Sequence, residues 1–207
     1  MEPSAVITAD IVNSTKLSAV QEKKLLAQLH QLLQPWQFEF YRGDSFQVFQ
    51  QKATLALKTA LQCRTAAIRL TTSEATPPFD VKVSIGIGQA RAPVKSLRTA
   101  KGNAFVLSGR ALDEITPTTR RLSIVTTNTL ANEGLQVIAD YLNAIFKGMT
   151  GKQAGVIFEL LKGHTQQQVS DQLKKSKSTI HQHVNAGRWP EIERLLQQYD
   201  NILKHLP

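Results

Sequence analysis

Two aspartates stand where a pair of carboxylates could act together. Asp10 closes a strand-like apolar run, AVITAD, and Asp44 lies in a Gly-Asp step between two short aromatic runs. If those runs are neighbouring strands, both carboxylates meet at one edge of a sheet, where they suit a hard cation such as Mg²⁺ or Mn²⁺. Either aspartate alone is also common turn chemistry. The pair therefore predicts a metal site on the condition that the strands are adjacent.

A second group of polar side chains lies in the stretch QQVSDQLKKSKSTIHQHV. Val169 and Leu173 are four residues apart, as are Ile180 and Val184, which predicts two short helices around a Lys-Lys-Ser turn. In a helix-turn-helix, the second helix enters the DNA major groove. The side chains expected to contact DNA can all donate a hydrogen bond: Gln166, Lys175, Lys177, Ser178, Thr179, Gln182 and His183. The alternative is a three-helix bundle for protein contacts, with a solvated charge pair in its turn.

Composition and charge narrow the class of protein. The 207 residues carry a formal net charge of +9, which favours a polyanionic partner such as DNA or the phosphates of a nucleotide. The length suits one sizeable core plus a small second domain. The sequence has no apolar run of membrane-spanning length, and its start lacks the basic segment of a signal peptide. The one cysteine, Cys63, fits a buried apolar position, so a cytoplasmic protein without disulfides is expected.

Apolar periodicity predicts the elements that position these groups. Strands are predicted over 5–11, 37–41, 45–49, 81–88 and 122–126. Helices are predicted from Ser18 to Pro35, over 53–70, 105–113, 128–147, 153–161 and 166–173, from 178 onward, and over 191–204. Ser18 and Gln21 have the spacing of a capping box, and Arg-Gly-Asp at 42–44 has the composition of a hairpin turn.

The order of these elements predicts an α+β fold. Residues 1–127 are expected to form a ferredoxin-like βαββαβ domain, an α/β sandwich with antiparallel strands and with its helices on one face of the sheet. Residues 128–149 form a connecting helix. Residues 150–207 form a small all-α helix-turn-helix domain that binds DNA.

Four segments of the first domain resemble the class III adenylate and guanylate cyclase homology domain: ADIVNST, FYRGDSFQVF, VKVSIGIG and GNAFVLSGRAL. The resemblance implies a nucleotide-cyclase-like fold in which Asp10 and Asp44 hold Mg²⁺ or Mn²⁺, with help from the backbone carbonyl of Ile11. It also implies a nucleotide held by residues around that metal: Arg42, Ser45, Lys101 and Arg110.

Three departures from the cyclase pattern fall on the half of the site that would hold the substrate. Val106 stands where the family has its asparagine, and Phe40 stands where it has its base-reading lysine. The segment AKGNAF also lacks the aspartate that many cyclases place before the asparagine. Losing one contact to a transition state lowers a rate by about two or three orders of magnitude. The motifs therefore predict nucleotide or phosphate binding rather than efficient cyclisation.

Most of the chain also resembles the SatD-like family of bacterial proteins. The resemblance rests on Asp10-Ile11 with Ser14, on GDSFQ at 43–47, on FVLSGRAL at 105–112 and on TGKQ at 150–153. The C-terminal stretch resembles the LuxR-type and sigma-region-4-type helix-turn-helix through TGKQ, Gly-His-Thr between helices, and SKSTI at the start of the second helix.

Three functions remain open on this basis. The first is a DNA-binding regulator whose degenerate cyclase-like domain binds a nucleotide or metal or mediates dimerisation, with no catalysis. A homodimer is expected, because two-fold symmetric modules read half-sites about one helical turn apart. The second is an active metal-dependent nucleotidyl cyclase or phosphotransfer enzyme that uses Asp10 and Asp44. The third is an interaction module of a stress pathway whose helix-turn-helix binds protein.

Overall fold

The computed structural model of the protein describes residues 3–41, 43–71, 79–90, 94 and 96–206. The strands in these residues are β1 Ser4–Val12, β2 Gln37–Tyr41, β3 Ser45–Gln50, β4 Asp80–Gly88 and β5 Leu122–Thr126. The helices are α1 Ala19–Leu33, α2 Ala56–Ile68, α3 Asn103–Ile115, α4 Thr129–Lys147, α5 Gly151–Leu161, α6 Gln166–Leu173, α7 Lys177–Ala186 and α8 Trp189–Lys204. None of the described helices has the length and apolar content that a membrane span would need.

Side-chain caps explain where several helices begin. The predicted capping box at α1 is confirmed, because the backbone N–H of Gln21 donates to Ser18 Oγ at 3.3 Å and Gln21 Oε1 accepts from the backbone N–H of Ser18 at 3.1 Å. Two later helices begin with the same reciprocal pair, namely Thr150 with Gln153 at α5 and Thr165 with Gln168 at α6. Each cap satisfies backbone donors that the first turn leaves free and contributes on the order of 1 kcal/mol.

The strands form one sheet in the order β2-β3-β1-β4-β5, with β1 at its centre. The pairs β2–β3, β3–β1 and β1–β4 are antiparallel, and β4–β5 is parallel. The first six elements follow the predicted βαββαβ order, and α3 connects β4 to the added strand β5. The predicted α+β class is therefore confirmed, as are the bounds of β2 and β5.

Helices cover both faces of the sheet, so the prediction of helices on one face is wrong. Helices α1, α2 and α4 contribute to the main core on one face, together with Ile7 and Ile85. Helix α3 crosses the opposite face over Gly86, where an added Cβ would lie 2.3 Å from the carbonyl oxygen of Ala104. Every residue of β4 except Gly88 is buried. Its alternation of apolar and small or polar residues reflects two covered faces.

The helices after β5 share the main core with the sheet. That core contains residues from β1, α2, α4, α5, α7 and α8. Helix α5 packs on α2, and Gly151 permits the approach, because an added Cβ would lie 2.4 Å from the carbonyl oxygen of Thr71. The hydroxyl of buried Tyr199 in α8 donates to the carbonyl oxygen of Ala53 at 2.7 Å. The predicted domain boundaries stay predictions, and packing joins the parts on either side of them.

One ion pair lies almost wholly inside the protein. Arg64 of α2 is 1% exposed and Asp80 at the start of β4 is 7% exposed. The guanidinium donates twice to the carboxylate, from Nε at 3.0 Å and from Nη2 at 2.7 Å. Its Nη1 donates to Asn143 Oδ1 of α4 at 3.4 Å, and its carbon lies 4.5 Å from the centre of the Phe146 ring. The pair therefore joins α2, β4 and α4.

We expect Arg64→Met to lower the free energy of unfolding by about 3–5 kcal/mol, because it leaves the Asp80 carboxylate buried without its partner. The matched control is Arg120→Met, which removes an arginine from an exposed pair with Asp140 at 2.9 Å. We expect that control to lose about 0–1 kcal/mol. Urea unfolding followed by tryptophan fluorescence measures both. Equal unfolding midpoints for the two variants would contradict the role given to Arg64.

Candidate functional site

The structure meets the condition set for the aspartate pair, because β1 and β3 are neighbours. Asp10 in β1 stands opposite Ser45 in β3, and the backbone N–H of Ile11 donates to the carbonyl oxygen of Asp44 at 2.9 Å. Asp10 and Asp44 are both half-buried at the same end of the sheet. The hydroxyl of Ser14 donates to Asp44 Oδ2 at 3.0 Å. Neither carboxylate forms a salt bridge with another described residue.

Two rows of polar side chains cross the sheet on the α3 side. The strand register gives the first row as Tyr41, Ser45, Asp10 and Lys82. It gives the second row as Glu39, Gln47, Thr8 and Ser84. Gln47 Nε2 donates to Thr8 Oγ1 at 3.1 Å, and Thr8 Oγ1 donates to Ser108 Oγ of α3 at 2.9 Å. We call these eight side chains the polar face, and Asp10 lies within it.

Lys82 supplies a positive charge beside Asp10 that sequence reasoning missed. It stands opposite Asp10 on β4, and its Nζ donates to the carbonyl oxygens of Ile115 at 3.1 Å and Thr116 at 2.6 Å. These are carbonyls at the end of α3, where a cation is favoured. Burial lowers the pKa of Lys82, and so does the charge of Arg121, whereas Asp10 raises it. The sequence shows this lysine in VKVSIGIG, but only the pairing of β1 with β4 reveals that it lies beside Asp10.

The donor set fits a loosely bound hard cation. Asp10 and Asp44 offer two carboxylates, and the part of the chain that the structure describes contains no group of three or more His, Cys, Asp or Glu side chains placed to hold a metal ion together. Mg²⁺ usually keeps several waters and binds proteins through one or two carboxylates. Two carboxylates with water therefore suffice for Mg²⁺ or Mn²⁺. They would not form the closed ligand cage of a structural metal site.

Of the predicted nucleotide residues that the structure describes, one lies beside the aspartates. Ser45 is opposite Asp10, whereas Arg42 falls outside the described residues. Lys101 is exposed and precedes Gly102, which bridges to Ala90 beyond the far end of β4. It therefore lies at the opposite end of the sheet from Asp10.

Arg110 and Val106 are one turn apart on the exposed side of α3. Val106 is 50% exposed, and Arg110 is exposed as well. The buried side of this helix, which faces the sheet, carries Ser108 and Ala111. Within one chain the structure does not bring Arg110 to Asp10.

Phe40 lies on the other face of the sheet. Its ring stacks on His30 at 4.8 Å between centroids and contacts Phe46 at 5.2 Å. The side chain at the position of the cyclase base-reading lysine therefore points away from Asp10. It packs in an aromatic cluster and cannot contact a base beside the aspartates.

Helices α6 and α7 are joined by three residues whose backbone is well bonded. Lys174 adopts a left-handed conformation with φ 52°, which is uncommon for a residue with a Cβ. Ser170 Oγ donates to the carbonyl oxygen of Lys175 at 2.7 Å. Ser176 caps α7 by accepting from the backbone N–H of Thr179 at 3.1 Å. Both predicted helices are present.

The side chains predicted to contact DNA divide between two sides of α7. Ile180 and Val184 are buried, so Ser178 and Gln182 lie on the opposite, exposed side. Asn185 is exposed on that side as well, and its Nδ2 lies 3.0 Å from His181 Nε2. Sequence reasoning missed His181 and Asn185. The sequence feature that could have found them is their position one residue after Ile180 and Val184, which places them off the buried side of the helix.

Thr179 and His183 line a cleft between α7, α5 and α1. Burial lowers the pKa of His183, and the charges of Lys152 and Lys175 lower it further. Lys175 lines the same cleft, whereas Gln166 and Lys177 are exposed at the first positions of α6 and α7. The predicted residues on and before α7 therefore divide between its exposed side and this cleft.

No family model and no curated protein matches this chain. Several solved structures are similar to it, and two of them are described as a bacterial light-regulated adenylyl cyclase. The first is 17% identical with a TM-score of 0.38, over 59% of this chain and 43% of that one. The second is 14% identical with a TM-score of 0.40, over 59% of this chain and 75% of that one.

We expect Mn²⁺ to raise the melting temperature of the protein and to leave that of Asp44→Asn unchanged. A ligand that binds only the folded state stabilises it by mass action, by about 2–3 kcal/mol at a hundredfold excess over Kd. The control is Asp113→Asn, which removes an exposed carboxylate on α3 and should keep the shift. A thermal-shift series measures all three proteins. No shift in the unmodified protein, or equal loss in both variants, would contradict the metal site.

Proposed function

We propose that the protein is a DNA-binding regulator in which α6 and α7 act as a helix-turn-helix. The observation that carries the proposal is the exposed side of α7, which presents Ser178, Gln182 and Asn185 beyond a short connection. These side chains can both donate and accept hydrogen bonds, as reading of base edges requires. Helix α7 contains no acid, so nothing on it would repel phosphates.

Charge supports the same function. The sequence carries a net charge of +9, and Lys174, Lys175 and Lys177 flank the start of α7. Phosphate contacts position a protein on DNA, and contacts to base edges give it specificity. The proposal therefore assigns the lysines to phosphates. It assigns Ser178 and Gln182 to bases.

The cyclase-like domain serves, in this proposal, as a binding or dimerisation module of a cytoplasmic homodimer. The adjacency of Asp10 and Asp44 supports binding of Mg²⁺ or Mn²⁺, with or without a nucleotide. Phe40 and Val106 supply no polar contact to a substrate, and the rings around Phe40 occupy its surroundings. The proposal gives residues 1–127 this binding or dimerisation role, residues 128–149 a connecting role and residues 150–207 the DNA-binding role.

An active nucleotidyl cyclase or phosphotransfer enzyme is the second candidate, and the same carboxylate pair is the observation in its favour. Incubation with ATP or GTP and Mn²⁺, followed by product analysis, separates the two. Product formation that Asp44→Asn abolishes would establish the enzyme. Metal binding without product supports the module.

We expect Gln182→Glu to weaken binding to a short random-sequence duplex on the order of tenfold, because a carboxylate on the exposed side of α7 would approach phosphates. The matched control is Gln198→Glu on α8, which is also exposed. Fluorescence anisotropy over a range of salt concentrations measures both, and affinity should fall steeply with salt. Equal affinities for the two variants, or binding insensitive to salt, would overturn the proposal.

A further inference from the structure

A cleft of about 660 Å³ lies on the side of the sheet opposite the polar face, beneath α7. Its walls come from α1, from the end of α2, from the start of α5 and from α7. We call it the cationic cleft, after the charged residues in its lining, which are Lys24, Arg69, Lys152, Lys175 and His183. A volume of this size lies in the range of small-molecule sites, which is about 300–1,000 Å³.

The charges of the cationic cleft have one sign. Four permanent cations from four segments line it, and none of its described lining residues is Asp or Glu. Like charges gathered in one concavity repel each other and raise the local positive potential, which attracts an anion. Burial lowers the pKa of His183, and the charges of Lys152 and Lys175, which line the same cleft, lower it further.

Two lining residues, Arg69 and Gln28, bear on how the cleft would bind an anion. Arg69 is held in place, with its guanidinium carbon 4.0 Å from the centre of the Phe158 ring and Nη1 at 3.7 Å from Glu159 Oε1. Glu159 also contacts Lys162 at 2.9 Å and His164 at 3.1 Å, so its charge is shared. Gln28 lines the cleft with a buried amide oxygen that has no hydrogen-bond partner. Rotation of this amide would present its NH₂ group to an anion.

We propose that the cationic cleft binds a small molecule that carries two or more phosphate groups. Four cations on four segments match the spread negative charge of a diphosphate better than they match an anion that carries one charge. Such a ligand would touch Thr179 and His183, and so would contact the buried flank of α7. This site is separate from the aspartate pair. It shares Lys175 with the proposed DNA surface and adds a small-molecule ligand to it.

Isothermal titration of the full chain with sodium pyrophosphate tests the proposal, at constant ionic strength, with EDTA and without DNA. We expect saturable binding that weakens about tenfold in Lys24→Gln and in Lys175→Gln, because a charge-assisted hydrogen bond contributes about that factor. The matched control is Lys23→Gln, the adjacent exposed lysine of α1 outside the cleft. It should bind as the unmodified protein does, as should Asp44→Asn.

Three results would overturn the proposal. The first is the absence of saturable binding by the unmodified protein. The second is equal weakening in Lys23→Gln and Lys24→Gln, which would indicate general charge screening. The third is that pyrophosphate binds neither the unmodified protein nor any variant, whereas Lys24→Gln and Lys175→Gln weaken binding of duplex DNA. That result would make the cleft part of the DNA surface. Because the titration contains no DNA, a failure of the DNA-binding proposal leaves its result unaffected.

Discussion

The buried pair of Arg64 and Asp80 is the constraint on which the arrangement of the sheet depends. Charges removed from water are tolerated only when they are fully paired and hydrogen-bonded. Asp80 Oδ1 therefore also accepts from the backbone N–H of Val81 at 2.7 Å. Asn143 Oδ1 accepts a hydrogen bond from Arg64 Nη1, and Asn143 Nδ2 donates to the carbonyl oxygen of Leu122 at 3.0 Å. Four elements, α2, β4, β5 and α4, must take up their relative positions together for this network to close.

The network lies at the end of the sheet that carries the aspartate pair. Asp80 stands opposite Val12, and Lys82 stands opposite Asp10 two residues away. Asp10 therefore lies next to the strand positions that the buried ion pair ties to α2 and α4. Asp44 is held more lightly, by Ser14 and by its own backbone contact with Ile11.

Local patterns in the sequence were sufficient for the strands and the helices, and they placed Asp10 and Asp44 at the same end of the sheet. Alternation over β1 and β3 and the caps at Ser18 and Thr150 depend only on neighbours along the chain. The position of α3 does not, because VKVSIGIG is equally compatible with one covered face or two. Arg64 is a similar case, since an arginine in an alanine-rich helix is ordinarily solvated and only its contact with Asp80 explains its burial. Tertiary contacts between distant segments decide both outcomes.

The cationic cleft could not be predicted for the same reason, and its origin limits how the protein could be regulated. Its walls come together because Gly151 lets α5 approach the end of α2, which places α7 over α1. Helix α2 then carries Arg64 toward the sheet, and Arg69 just beyond its end toward the cleft. Since one core holds all these helices, a hinge between the sheet and α7 would have to break that core. We therefore expect a ligand to act through charge at α7 or through association of two chains, and not through rotation of one part against the other.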